Sequence, residues 1–210
     1  IATWSIGFGG RRLAAPALAG LAVGTIAVGS LGLFYNRQVA GSWLTFPLNA
    51  YFDKHYGPNT GAYGFGPDRG LGWGIDPNPG HSILDGVINI NLNMFSLNWD
   101  FLGWACGSLI CVWFLACSGG WRRRDWIMLT AAIAVIGVYF PYYFSGGPDF
   151  GARSWFVLVV PLVVLTIRGL EVMEQWIGSR VWIAAAGLSF LALLTFVPWR
   201  AVDKYRDYRG

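Results

Sequence analysis

Apolar residues gather along this chain in long runs, separated by short breaks rich in glycine, proline and arginine. A helix that crosses a membrane needs about 20 mostly apolar residues for a hydrocarbon core of about 30 Å. Runs of that order lie at residues 13–35, 99–117, 126–144, 155–170 and 181–198. Residues 36–98 differ in character: they hold Pro47, Pro58, Pro67, Pro77 and Pro79, many glycines, both histidines and four aspartates. That stretch is expected to stay outside the bilayer as one long loop. A loop of this length usually carries function. The pattern predicts an all-α integral membrane fold with about five transmembrane helices. The long loop is expected to be extracytoplasmic and to carry short interfacial helices.

Two such short helices are expected. Residues 43–56 place Leu44, Leu48 and Phe52 at helical spacing. Further on, Ser82 and Asp85 have the spacing of a capping box, with Asp in place of Glu. Residues 87–94 alternate apolar with Asn, which taken alone argues for a strand. Ile83, Val87, Ile90 and Met94 also share one helix face, and the cap decides for an interfacial helix over residues 83–95. Between these helices, residues 64–70 have neither Gly-Lys-Ser/Thr nor GxGxxG spacing, so they are expected to form turns and not a phosphate loop. Asp68 and Arg69 in those turns are candidates for ligand contact.

Composition sharpens the class. Of 210 residues, 55% are hydrophobic and only 12% charged, where soluble domains carry about a quarter charged. The net charge of +4 is spread over segment ends and not gathered into an aromatic-interleaved patch, so no nucleic-acid partner is expected. Cys106, Cys111 and Cys117 match no common zinc spacing and are expected to pack as small residues. Gly20 and Gly24 have GxxxG spacing, which lets a neighbouring helix approach closely. The chain opens on Ile1 without a signal-peptide pattern and is expected to be an internal piece of a longer protein. The Arg122–Arg124 cluster votes for the cytoplasm, which puts the long loop and the turn at residues 145–153 on the outer side.

The stretch from Tyr139 to Leu170 carries the densest candidate chemistry. Tyr139, Tyr142 and Tyr143 precede a turn holding Asp149 and Arg153, and Trp155 and Phe156 follow it. Tyr and Trp favour the headgroup level. A charged pair at that depth is a functional hypothesis by default. The alternative is that Arg153 meets free turn carbonyls and lipid phosphate, and Asp149 merely neutralises the turn. Gly146, Gly147 and Gly151 would let backbone come close to a ligand. Asp100, at the mouth of the second run, is expected to cap that helix. His81, Asp85 and Asp76 are expected in a solvated loop and not on a metal, and no metal or other cofactor is assigned.

Phe150-Gly-Ala-Arg153, followed by a run ending Leu165-Thr-Ile-Arg-Gly-Leu170, resembles the C-terminal part of GT-C type glycosyltransferases. Trp99-Asp-Phe-Leu-Gly-Trp104 entering a run and the long loop add to the likeness. That family includes protein O-mannosyltransferases and lipid A aminoarabinose transferases, and the resemblance spans about residues 30–210. It implies transfer of a sugar from a polyprenyl-phosphate carrier to an extracytoplasmic glycan, lipid or protein acceptor, in a bacterial or archaeal cell membrane. Arg153, Asp149, Tyr143, Asp68 and Arg69 would then bind substrate. No catalytic residue is assigned, because the family's catalytic carboxylate lies in an earlier loop that has no counterpart here. Ser154 and Val157 also depart from the aromatic and acidic residues that the family places after its turn arginine. The competing class is a non-catalytic polytopic protein, a transporter fragment or an assembly subunit. A transporter is disfavoured because the runs hold few mid-membrane polar residues beyond Thr25, Ser30, Thr130 and Ser189.

Overall fold

The computed structural model describes residues 10–70, 80–144 and 151–209. The chain divides into two compact units, Ile1–Gly61 and Ala62–Gly210. In the first unit, α1 (Gly10–Ala40) contains the whole expected run 13–35. Its apolar side chains from Leu21 to Val39 are exposed around the helix, as expected for a segment that meets lipid and not a protein core. α2 (Pro47–His55) follows, with Pro47 in its first turn, where a missing N–H costs nothing.

The second unit contains α3 (Ile83–Asp100), α4 (Ile110–Ser118), α5 (Arg123–Tyr139), a 3-10 turn (Arg153–Leu158) entering α6 (Val159–Ile177), α7 (Arg180–Leu194) and α8 (Phe196–Arg209). Among the described residues the only strand-like pairing is an isolated bridge between Gly66 and His81, so the fold is all-α. Three stretches, Ala19–Ala40, Arg153–Ile177 and Arg180–Arg206, are long and apolar enough to cross a membrane. This is the character of an integral membrane protein.

The other two expected spans are not continuous helices of that length. Across residues 99–117, α3 runs on to Asp100 and the chain then reverses before α4 begins. Gly103 and Gly107 adopt φ of +64° and +92°, which other residues seldom do. Asn98 and Ser108 hold the reversal. The Leu109 N–H donates to Asn98 Oδ1 at 3.0 Å and the Leu102 N–H to Ser108 Oγ at 2.8 Å. In the expected span 126–144, α5 ends at Tyr139, two residues before Pro141, which has no N–H to extend the ladder.

α6, with the 3-10 turn that enters it, is the central element: about half of the apolar stretch Arg153–Ile177 is buried, against 11% for Arg180–Arg206. At one end Leu158 and Leu162 pack with Leu97, Leu109, Ala132 and Trp155. Further along, Leu165 and Val172 meet Leu115. A Cβ at Gly169 would fall on the Cys111 carbonyl, so α4 and α6 meet there with no side chain between them.

Candidate functional site

The site forms where α3, the end of α5 and the entry to α6 converge. α3 starts as its sequence predicts. The Ser82 backbone N–H donates to Asp85 Oδ2 at 2.7 Å, and the Asp85 N–H donates to Ser82 Oγ, which completes the capping box. The face expected to be apolar divides between two environments. Ile90 and Met94 pack on the core, but Ile83 and Val87 are exposed. The side chains buried along α3 are largely polar: Asp85, Asn89, Asn93 and Ser96, joined by Leu97. Ile83, Leu84, Val87, Phe95 and Trp99 face outward. This inverts the usual amphipathic rule. The polar groups turn inward to the protein, where backbone can meet them, and the apolar groups turn to surroundings that suit lipid.

The segment after α5 lies against this polar face. Asn89 Nδ2 donates to the Tyr143 carbonyl at 2.9 Å, and Tyr143 is buried. The Phe140 ring and carbonyl press on Gly86, leaving no room for a Cβ. His81 stacks on Phe65 with centroids 5.2 Å apart, and Phe65 meets Phe140 edge-on at 5.4 Å. Buried His81 Nε2, Asp85 Oδ1 and Asn93 Oδ1 have no protein partner among the described residues, although buried polar groups nearly always have one.

Arg153 stands at the first position of the 3-10 turn, exposed at the head of the most buried span. Its guanidinium carbon lies 5.3 Å from the Phe144 ring centroid, within cation–π range. Tyr142 follows α5, past the helix end. Burial raises its phenol above the ordinary range, Tyr139 adds to the rise, and the nearby Arg153 charge opposes it. Behind Arg153, Trp155 is almost fully buried and fixes the turn to the core. Gly151 has φ of +66°, and a Cβ there would come 3.0 Å from Asp100 Oδ2. The Arg153 turn therefore abuts the C-terminal end of α3.

The expected site residues separate in position. Arg153 and Tyr143 share one end of the bundle, linked through Phe144, whose ring lies 6.3 Å from that of Tyr143. Asp68 and Arg69 belong to a different turn, anchored by the Gly66–His81 bridge; Asp68 is exposed and Arg69 half-buried. Asp149, with Gly146 and Gly147, lies outside the described residues. Asp100 does not cap a following helix. It ends α3, and its carboxylate meets Arg200 of α8 at 3.2 Å. No group of three or more His, Cys, Asp or Glu side chains placed to hold a metal occurs among the described residues.

A second polar cluster sits where α5 begins. Asp125 is 1% exposed and Arg168 is 9% exposed, and Arg168 Nε lies 3.4 Å from Asp125 Oδ2. Arg168 also bonds Glu171 and donates to the Gly120 carbonyl at 3.4 Å. The Arg122 N–H donates to the same Asp125 oxygen at 2.8 Å. Every charge here has a partner, which is how a fold tolerates buried ions. The cluster is a brace between α5 and α6.

Comparison with family models, curated proteins and solved structures gives no match to this chain. Sequence reasoning missed the Asp100–Arg200 pair and the buried polar face of α3. The regular Asn89-x-Asn91-x-Asn93 spacing was a visible signal for polarity, but it does not tell which Asn turns inward.

Proposed function

We propose that this chain forms the lipid-donor end of a membrane glycosyltransferase of the GT-C type. In this reading Arg153 binds the phosphate of a polyprenyl-phosphate sugar. The observation that carries it is the position of Arg153: an exposed arginine at the head of a span-length apolar stretch, over the Phe144 ring and two residues from Gly151, which abuts Asp100 at the end of α3. An amphiphile with a phosphate head and an isoprenoid tail needs that juxtaposition of charge and apolar surface. A guanidinium binds phosphate oxygens in a planar fork. Cations aimed at a leaving phosphate stabilise the charge that develops as the glycosidic bond breaks. A general base would take the proton of the acceptor hydroxyl, and no residue of this chain is assigned to that step. Tyr143 acts through its backbone, holding the segment before the turn against Asn89.

The experiment is sugar transfer in membranes by the full-length protein, with expression matched. A hydrogen bond to a charged group is worth roughly 1.5–3 kcal/mol, so Arg153→Ala should lower donor use by about ten- to a hundredfold. Arg153→Lys should recover part of it. Undiminished transfer by a well-expressed Arg153→Ala protein would overturn the proposal and leave Arg153 as a surface anchor.

A further inference from the structure

A cleft of about 210 Å³ opens between the end of α3 and the start of α8, lined by Phe95, Ser96, Trp99, Asp100, Trp199 and Arg200. Its two indoles, Trp99 and Trp199, are each 53% exposed although the surrounding rings fix their positions. Trp99 lies 6.3 Å from Phe95 and 6.4 Å from Phe196, and Trp199 lies 5.8 Å from Phe196. Between them the Asp100–Arg200 pair stays partly open, with side chains 27% and 20% exposed. Arg200 also reaches Asp203 at 3.2 Å, so carboxylate and guanidinium are both held in place.

We infer that this cleft binds a sugar ring. A pyranose has two faces of C–H bonds that lie flat on an aromatic surface and a rim of hydroxyls that both donate and accept hydrogen bonds. Indole faces suit the first, because they present large apolar area at little cost in side-chain freedom. A carboxylate beside a guanidinium suits the second: Asp100 accepts from hydroxyls and Arg200 donates to them. An ordinary apolar pocket needs few polar groups, set to orient the ligand. Here the lining carries Ser96 together with Asp100 and Arg200, and the last two are of opposite hydrogen-bonding sense, which matches hydroxyl pairs better than an anion or a hydrocarbon. Gly151, next to Asp100, ties the cleft to the turn that carries Arg153. The role of the bound sugar, as part of donor or acceptor, rests on the glycosyl-transfer reading; binding itself does not.

The test is saturation-transfer difference NMR on the chain in phosphatidylcholine nanodiscs, with the methyl glycosides of glucose, mannose and galactose as probes. At least one should show enhancement at its ring C–H protons. That enhancement should fall at least threefold in Trp99→Ala and in Trp199→Ala, and Trp199→Phe should keep most of it. Circular dichroism checks that the variants remain helical, and the phenylalanine variant keeps the test valid if an alanine variant does not fold. Absence of enhancement for all three sugars, or equal enhancement in folded alanine variants, would overturn the inference. So would loss of every sugar signal on adding phosphatidylglycerol, which would assign the cleft to a lipid headgroup. Arg153→Ala should leave the sugar signal intact. Normal transfer by that variant alongside a Trp199-dependent sugar signal would sink the proposed function and leave the cleft standing.

Discussion

Arg200 closes an ion pair with Asp100 at 3.2 Å across 100 positions of sequence. The pair joins the last residue of α3 to α8, and it sits against Gly151, two residues before Arg153. It therefore links the C-terminal helix to the turn at which the site is built.

Because both side chains are partly solvated, the pair should contribute modestly to stability. A double-mutant cycle with Asp100→Asn and Arg200→Gln should give a coupling of about 1 kcal/mol or less. Denaturation of the reconstituted chain measures it. A coupling of several kcal/mol would mean that the pair is sealed from solvent in the membrane.

The brace between α5 and α6 should behave differently. Removing one partner of a buried ion pair strands the other and costs about 3–5 kcal/mol. Asp125→Ala should therefore lower stability by up to that order, leaving Arg168 with Glu171 as its one ionic partner. Pairing Asp125→Leu with Arg168→Met should restore much of the loss. Thermal denaturation in detergent reads both. An Asp125→Ala protein as stable as wild type would show that Glu171 and water satisfy Arg168 without Asp125.

Local signals were legible in the sequence where one short segment decides them. The Ser82–Asp85 cap is formed as its spacing implies, and α1, α6 with the turn before it, and the pair α7–α8 cover three of the five apolar runs expected to cross a membrane. What escaped depends on distant partners. Asp100 reads as a cap for the residues after it until Arg200 is known to lie beside it. The apolar run 99–117 reads as one helix by composition, yet Asn98 and Ser108 form a reversal that hydropathy cannot register. The inward polar face of α3 follows from the tyrosine segment that covers Asn89, and that contact spans 54 positions.

The topology proposed for the chain puts residues 36–98 and the turn at 145–153 on the outer side and the Arg122–Arg124 cluster inside. In unit two, Gly64 bonds the Pro141 carbonyl at 3.0 Å, and Phe140 packs on Gly86. The later part of the loop and the residues just after α5 thus share one end of the bundle. Single cysteines at positions 62 and 123, in a background without the three native cysteines, test the sidedness. A membrane-impermeant thiol reagent on intact cells should label position 62 and spare position 123. The reverse pattern would invert the topology and place Arg153 on the cytoplasmic face.

The central claim is that Arg153 recognises a lipid-linked phosphate, and the most direct measurement is binding of a long-chain polyprenyl phosphate to the chain in nanodiscs. Wild type should bind it more tightly than the dephosphorylated polyprenol. Arg153→Ala should lose about ten- to a hundredfold in affinity for the phosphate, following the roughly 1.5–3 kcal/mol of a charge-assisted hydrogen bond. Arg153→Lys should fall between them, because an ammonium keeps the charge and loses the fork. Affinity for the polyprenol should not change in either variant. Equal affinity of wild type and Arg153→Ala for the polyprenyl phosphate would contradict the account.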